Sequence, residues 1–165
     1  MTLLRYDKTY LIGTDLDPIE DLLIFIKMLK SSGVTSDILR EKHGFTNASE
    51  IKKTSKLISL HVENAIGLAE QAFDGPAESS YLSLYYSTLN LSKVHLLFLG
   101  KRIELQSNKW HGARYEENQM KKLFLNEEIK ISNRGTIPLI YNSVLNKSIP
   151  RDGYTLKLSE LYSKI

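Results

Sequence analysis

The sequence predicts a mainly α-helical protein, a helical bundle with a small β-hairpin appended near the C-terminus. Residues 79–100 form a segment that is apolar nearly all round, as expected of a helix at the centre of a bundle. After Gly100 the pattern changes to short apolar runs typical of strands. The composition, 42% hydrophobic and 25% charged over 165 residues, predicts one globular domain covering residues 1–165.

A first helix is predicted to begin at Pro18, because proline is favoured at the first position of a helix. Asp17 precedes it as a capping residue, and the Glu20 carboxylate is positioned to reach back in a capping box. The apolar periodicity continues to about Ser31, and we expect Gly33 to end the helix.

Two further helices follow in the sequence. A short one is predicted over Ser36–His43 and ends at Gly44. Asn47, with Glu50 three residues later, is a start signal for a long amphipathic helix that reaches about Phe73. Its apolar positions recur at helical spacing: Ile58, Val62, Ile66 and Ala69.

The central helix is predicted over Pro76–Leu99 and carries polar residues within an apolar sequence, with Gly100 as its C-terminal cap. Tyr86, Asn90 and Lys93 are spaced four and three apart, so they share one face. An unsatisfied buried amine or amide costs about 1–3 kcal/mol. We therefore expect this face to be mostly buried and its polar groups to be hydrogen-bonded to a partner. A structural hydrogen-bond network is the favoured interpretation, and recognition of a phosphate or a partner carboxylate is the alternative.

The C-terminal third predicts a short helix and a hairpin. Glu116–Leu125 has the composition of a helix, whereas Glu128–Ser132 and Thr136–Tyr141 resemble strands joined by the turn Asn133–Gly135. Because Pro138 cannot donate to a strand ladder, we expect its strand at a sheet edge or beside a bulge.

The last residues, Leu158–Ile165, are predicted to form an apolar surface that must be buried against another segment. Ser159 is a plausible cap, and the apolar side chains after it require another chain or further sequence to bury them: Leu161, Tyr162 and Ile165. We therefore expect either a homo-oligomer or association with a second protein domain, and we expect the chain to be part of a longer protein.

Composition excludes several classes of site. There is no cysteine, so disulfides and cysteine metal sites are absent, which suits a reducing cytoplasm. None of the four histidines is spaced four from another, so we expect no metal and no cofactor. The net charge is +3 and the basic residues are scattered, which gives only weak support to nucleic acid as a partner. No apolar run is long enough for a membrane span and no signal peptide is evident, so a cytoplasmic protein is expected.

The paired-tyrosine helix, followed after a loop by His-Gly, resembles the YaaC-like family of bacterial proteins. The matching segments are Leu84-Tyr85-Tyr86, Leu89-Asn90-Leu91, Lys93, Trp110-His111-Gly112, Glu128-Ile129-Lys130-Ile131 and Gly135-Thr136. The resemblance covers roughly residues 50–165. Members of that family are about twice this length and have no settled activity, so the resemblance implies either an N-terminal half of a longer protein or a reduced form.

The same tyrosine-rich helix and His-Gly also resemble HEPN domains, four-helix bundles that dimerise around a metal-independent ribonuclease site in toxin, antiphage-defence and RNA-processing proteins. The HEPN signature is an arginine followed, after four to six residues, by a histidine. That spacing is missing here, because Arg40 is three residues before His43 and Arg102 is nine before His111. The resemblance therefore implies a HEPN-like bundle with a degenerate active site.

Candidate catalytic residues are His111 with Arg102 or Arg114. An imidazole manages the 2′-hydroxyl proton in metal-independent RNA cleavage and a guanidinium stabilises the phosphate charge. The alternative is that His111 only stabilises a turn through a hydrogen bond, as His-Gly sequences at a helix start often do.

Candidate binding residues are those of the polar helix face together with the tryptophan beside the histidine: Tyr86, Asn90, Lys93 and Trp110. The first hypothesis is a binding and assembly module of a prokaryotic cytoplasmic protein, part of a defence or nucleic-acid-processing system. The alternative hypothesis is a degenerate, metal-independent endoribonuclease. Cleavage of RNA without metal, lost in His111→Ala, distinguishes the second from the first.

Overall fold

The computed structural model describes residues 18–101, 103, 111–116, 127–157 and 159. It divides into two compact units, Met1–Leu99 and Gly100–Ile165. The described part of the first unit is helical, and that of the second contains three strands and one helix. The mainly helical fold class is therefore confirmed. No helix in these described ranges combines the length and the apolar character that crossing a membrane requires.

Helices α1 (Pro18–Met28) and α2 (Ser32–His43) are separated by a short turn. The prediction that Gly33 ends the first helix is wrong, because Gly33 lies in the first turn of α2. Ser31 caps that helix, its hydroxyl oxygen accepting from the Val34 amide at 3.5 Å. The proposed Asp17 cap lies outside the described residues.

Helix α3 (Ala48–Asp74) begins as the sequence predicts. The Asn47 side-chain oxygen accepts from the amides of Ser49 at 2.9 Å and Glu50 at 3.1 Å. Gly44 ends α2 in the left-handed conformation, with φ at 68°. Local capping chemistry therefore sets both ends of this connection.

Helix α4 (Ala77–Phe98) runs antiparallel to α3. Ser80 donates its hydroxyl to the carbonyl of Ala72 at 2.7 Å, and Ser87 donates to the carbonyl of Ala65 at 2.7 Å. The residue numbers rise along α4 as they fall along α3, which gives the antiparallel direction. Small side chains allow this close approach, and each buried hydroxyl is satisfied by the backbone of the other helix. Gly100 has the predicted positive φ, 67°.

The strands β1 (Ala113–Glu116), β2 (Glu128–Ile131) and β3 (Tyr154–Lys157) form an antiparallel sheet in that order. The predicted strand at Glu128–Ser132 is confirmed over β2. The predicted helix over Glu116–Leu125 is wrong at Glu116, which ends β1; its remainder lies outside the described residues.

The second predicted strand, Thr136–Tyr141, is wrong, and so is the hairpin that it would complete. Those residues begin helix α5 (Thr136–Leu145). Pro138 occupies the third position of that helix, where its missing N–H has no acceptor to lose. Ile137 donates its amide to the His111 carbonyl at 3.0 Å, which ties the start of α5 to the residues before β1. Strand β2 pairs instead with β1 and β3.

The register of the sheet separates an apolar face from a charged one. Each row of the sheet consists of three residues, one from each strand, that lie opposite one another. Alternate rows share a face of the sheet. The apolar rows are Ala113, Ile131 and Tyr154, then Tyr115, Ile129 and Leu156; the polar rows are Arg114, Lys130 and Thr155, then Glu116, Glu128 and Lys157. A cavity of about 330 Å³ lies between the apolar face and α5, lined by Ile131, Ile137, Tyr141 and Leu156 among others.

Candidate functional site

A histidine of α3 contacts the polar face of α4. The Nδ1 atom of His61 lies 2.8 Å from the Oδ1 atom of Asn90. Asn90 donates through Nδ2 to the carbonyl of Tyr86 at 2.8 Å, one turn back along α4. Because the amide oxygen of Asn90 can only accept, His61 carries its proton on Nδ1 in this contact. The partner predicted for this face is thus an imidazole from the neighbouring helix.

The three residues predicted to be mostly buried on that face are buried unequally. Asn90 and Lys93 are half-buried, whereas Tyr86 is 37% exposed. Partial burial lowers the pKa of Lys93 below its usual value, because the charged amine loses hydration. Burial also lowers the pKa of His61; the hydrogen bond with Asn90 opposes that shift, and the Lys93 charge adds to it. No salt bridge to Lys93 is present within the described ranges.

The predicted histidine lies in an open groove of the second unit. The groove has a volume of about 420 Å³ and lies beside the ends of β1 and β2 and the turn before β3. Its lining includes His111, Arg114, Lys130, Arg151 and Asp152. His111 and Arg114, both predicted as candidates, therefore line one groove. Arg102 and Trp110, the other two candidates near them, lie outside the described residues.

Two glycines that line this groove lie in close contact with neighbouring segments of the chain. Gly112 has φ at 83°, and a Cβ atom there would lie 2.6 Å from Cδ of Pro138 and 2.8 Å from the carbonyl oxygen of Arg134. Gly153 has φ at 85°, and a Cβ atom there would lie 2.5 Å from the Ile131 carbonyl oxygen. Only glycine fits such a conformation at such an approach. The His-Gly sequence therefore lies directly before strand β1 and not at the start of a helix.

Two lining cations were missed by sequence reasoning. Lys130 lies on the polar face of β2, and the alternation within Glu128–Ile131 is a signal that could have placed it there. Arg151 comes from a turn in which Gly153 donates its amide to the Pro150 carbonyl at 2.9 Å. No local pattern relates that turn to β2, so its arrival at the groove follows only from the sheet topology.

The chemistry that the groove offers is cationic and polar. Two guanidinium groups and one ammonium group can bind an anion, and the imidazole of His111 is a possible acid-base group beside them. Across the described residues, no cluster of three histidine, aspartate or glutamate side chains could hold a metal ion.

A second candidate surface, here called the α4 surface, consists of Tyr81, Leu82, Tyr85 and Tyr86. All four side chains are exposed, Tyr81 by 78% and Leu82 by 60%. Their spacing places them on one side of the helix. Further along α4 the apolar residues are buried instead, as at Leu96. The prediction of a helix central to the bundle thus fits only the C-terminal half of α4.

The comparisons with known proteins give one match. The family model described as YaaC-like Protein matches residues 27–165. Neither a curated protein nor a solved structure matches the chain. The matched range includes helices α2 to α5 and all three strands.

Proposed function

The chain belongs to the YaaC-like protein family, and from that premise we propose that it is a binding and assembly module that pairs with a second copy of itself. The proposed setting is the cytoplasm of a prokaryote, in a defence or nucleic-acid-processing system. A second protein domain in place of the second copy is the other partner that the sequence predicts.

The α4 surface is the observation that carries this proposal. Tyrosine and leucine side chains that remain exposed side by side on one helix are typical of an interface. Tyr85 and Tyr86 also contact each other edge to face, with ring centroids 5.2 Å apart, which restricts both rings. Phe73, near the end of α3, is a further exposed apolar side chain in the same unit, 81% accessible.

The absence of charge favours a second copy as the partner. Residues 79–92 contain no charged side chain, so two copies can bring this part of α4 together without like-charge repulsion. In a two-fold dimer the same patch meets itself, which requires self-complementarity and nothing more. Tyrosine meets this requirement because its ring packs against apolar groups and its hydroxyl can hydrogen-bond at the rim.

Sedimentation equilibrium tests the proposal. We expect the chain to form a dimer or a larger assembly at micromolar concentration. Leu82→Glu should raise the dissociation constant at least tenfold, because it introduces two carboxylates into the paired surface. Leu145→Glu is the matched control, since Leu145 is 52% exposed in the other unit. A monomer throughout the micromolar range would rule out self-assembly. Equal effects of the two variants would rule out the α4 surface as the interface.

The alternative function is a degenerate, metal-independent ribonuclease. It is supported by His111 and Arg114, which line one groove and supply an acid-base group and a phosphate-stabilising cation. Incubation of the purified chain with total RNA and a chelator tests it. Cleavage that disappears in His111→Ala favours the enzyme, and intact RNA with the wild-type chain rejects it.

A further inference from the structure

Three cationic side chains from separate parts of the second unit converge on the groove beside His111. Arg114 comes from β1, Lys130 from β2 and Arg151 from the turn before β3. Asp152 is the single carboxylate among the groove's described lining residues. Convergence from three segments concentrates positive potential in one concave site, where charge attracts an anion most effectively.

The sheet register places two of these cations side by side. Arg114 lies directly opposite Lys130 on adjacent strands, and like charges in that relation destabilise a sheet. The third residue of the row, Thr155, carries no charge. In the next row Glu116 likewise lies opposite Glu128, but Lys157 on the other side of Glu128 supplies an opposite charge. The row beside the groove contains no residue of opposite charge, so its own net charge is positive.

We propose that this groove binds a small anion with two or more phosphate groups, of the nucleoside polyphosphate or inorganic polyphosphate class. Phosphoryl oxygens accept hydrogen bonds around a tetrahedron, so cations from three segments that line one groove can contact the oxygens of a bound phosphate chain. Arginine adds paired donors that match two phosphate oxygens. The inference does not rest on self-assembly, because the α4 surface belongs to the other unit.

The dimensions and borders of the groove favour a compact ligand over a nucleic-acid strand. A volume of about 420 Å³ falls within the roughly 300–1,000 Å³ of small-molecule sites. Glu128 lies in the adjacent row of the same polar face, where its carboxylate opposes extension of a polyanion along the sheet. The basic residues thus form a local cluster and not the continuous stripe that an extended strand requires.

Isothermal titration calorimetry at low salt tests the proposal with four probes. Tripolyphosphate and ATP are the expected ligands, citrate is a non-phosphate anion of similar charge, and a short single-stranded RNA represents nucleic acid. We expect saturable binding of at least one polyphosphate, more tightly than citrate or RNA. Binding of ATP together with tripolyphosphate assigns the affinity to the shared phosphates, whereas binding of ATP alone assigns part of it to the nucleoside.

Charge-removing variants locate the site. Arg151→Gln and Lys130→Gln should each weaken polyphosphate binding about tenfold or more. Arg134→Gln and Lys147→Gln remove exposed cations that do not line the groove, and they should change affinity less than twofold. Amide NMR of the wild-type chain gives a readout independent of variants: tripolyphosphate should shift the signals of Gly112, Ser132 and Gly153 and leave those of α3 unchanged.

Four outcomes overturn the proposal. Absence of saturable polyphosphate binding at millimolar ligand removes the site, and tighter binding of citrate removes the phosphate preference. Tighter binding of RNA assigns the groove to nucleic acid. Equal losses in groove and control variants reduce the binding to net charge. None of these results alters the sedimentation of the wild-type chain, so failure here is separate from failure of the self-assembly proposal.

Discussion

The two units of the chain differ in how they use apolar residues. The helical unit holds nearly all the buried apolar side chains of the described residues: Leu29, Leu39, Ile51, Ile58, Val62, Ala65, Ala72, Leu89, Val94, Leu96 and Leu97. In the described part of the second unit, the buried apolar side chains are Ile103 and Pro138. The apolar face of the sheet remains partly exposed, with Tyr154 and Tyr115 about half accessible.

The two units therefore differ in what stabilises them. Each fully buried leucine or isoleucine contributes about 1.5–3 kcal/mol, so the helical hairpin supplies most of the stabilisation that side-chain burial provides. The sheet is held more by its backbone ladder and by close approaches at glycines, which position charged side chains around a groove. We therefore expect substitutions in the first unit to act through core packing and those in the second through backbone geometry.

The largest effect should come from the helical core. Ile58 is fully buried in α3, and Ile58→Ala should lower the free energy of unfolding by about 2–5 kcal/mol, because it leaves a cavity. Ile129→Ala in β2 is the counterpart, and it should cost about 1 kcal/mol because that side chain is only half-buried. Urea unfolding of both variants gives the comparison. Equal losses of unfolding free energy would mean that side-chain packing stabilises the sheet as much as it stabilises the helices.

Glycine substitutions should have opposite signs in the two units. Gly112→Ala forces a side chain onto Pro138 in a left-handed conformation and should cost about 1–3 kcal/mol. Gly67→Ala, within α3, meets no atom inside 4 Å and should stabilise by about 0.5–1 kcal/mol through helix propensity. Thermal unfolding measures both changes. A neutral Gly112→Ala would show that the turn before β1 relaxes without cost.

Removal of the Lys93 charge should have a small effect in the favourable direction. Burial lowers the pKa of this amine, so its charged form is disfavoured in the folded chain. Lys93→Met keeps the volume and should leave stability unchanged or raise it by up to about 1 kcal/mol. Lys56→Met, at an exposed position of α3, should change it by less than about 0.5 kcal/mol. A large loss in Lys93→Met would show that the amine makes a needed structural bond.

Stability should also fall at mildly acidic pH, through His61. Burial lowers the pKa of this imidazole in the folded chain, so the unfolded chain binds the proton more tightly. The stabilisation is complete above the ordinary histidine pKa, 6.5, and declines as the pH falls through that value toward the folded pKa.

Melting temperatures measured from pH 7.5 to pH 5 check this prediction. His61→Gln should flatten the decline. His43→Gln is the companion variant, because burial and the neighbouring His95 also lower the pKa of His43. A decline that is identical in wild type and His61→Gln would assign the acid sensitivity to other groups.

The same contrast explains what could be predicted from the sequence. The ends of α3 follow from local capping chemistry at Asn47 and from Gly75-Pro76, so they were predictable. One misassigned segment was Thr136–Tyr141, where a β-branched apolar run suggests a strand although the Pro138 ring fits the first turn of a helix. The His61 partner of Asn90 depended on how two helices align, and Arg151 depended on which strands pair. No local sequence pattern predicts either the helix alignment or the strand pairing.

The dimer that we propose forms through the N-terminal half of α4. Amide hydrogen exchange at low and at high micromolar concentration tests this pairing, because association slows exchange where surfaces meet. We expect added protection at high concentration across residues 79–90, with no change in β1, β2 or β3. Protection that does not depend on concentration, or that rises first in the sheet, would rule out pairing through α4.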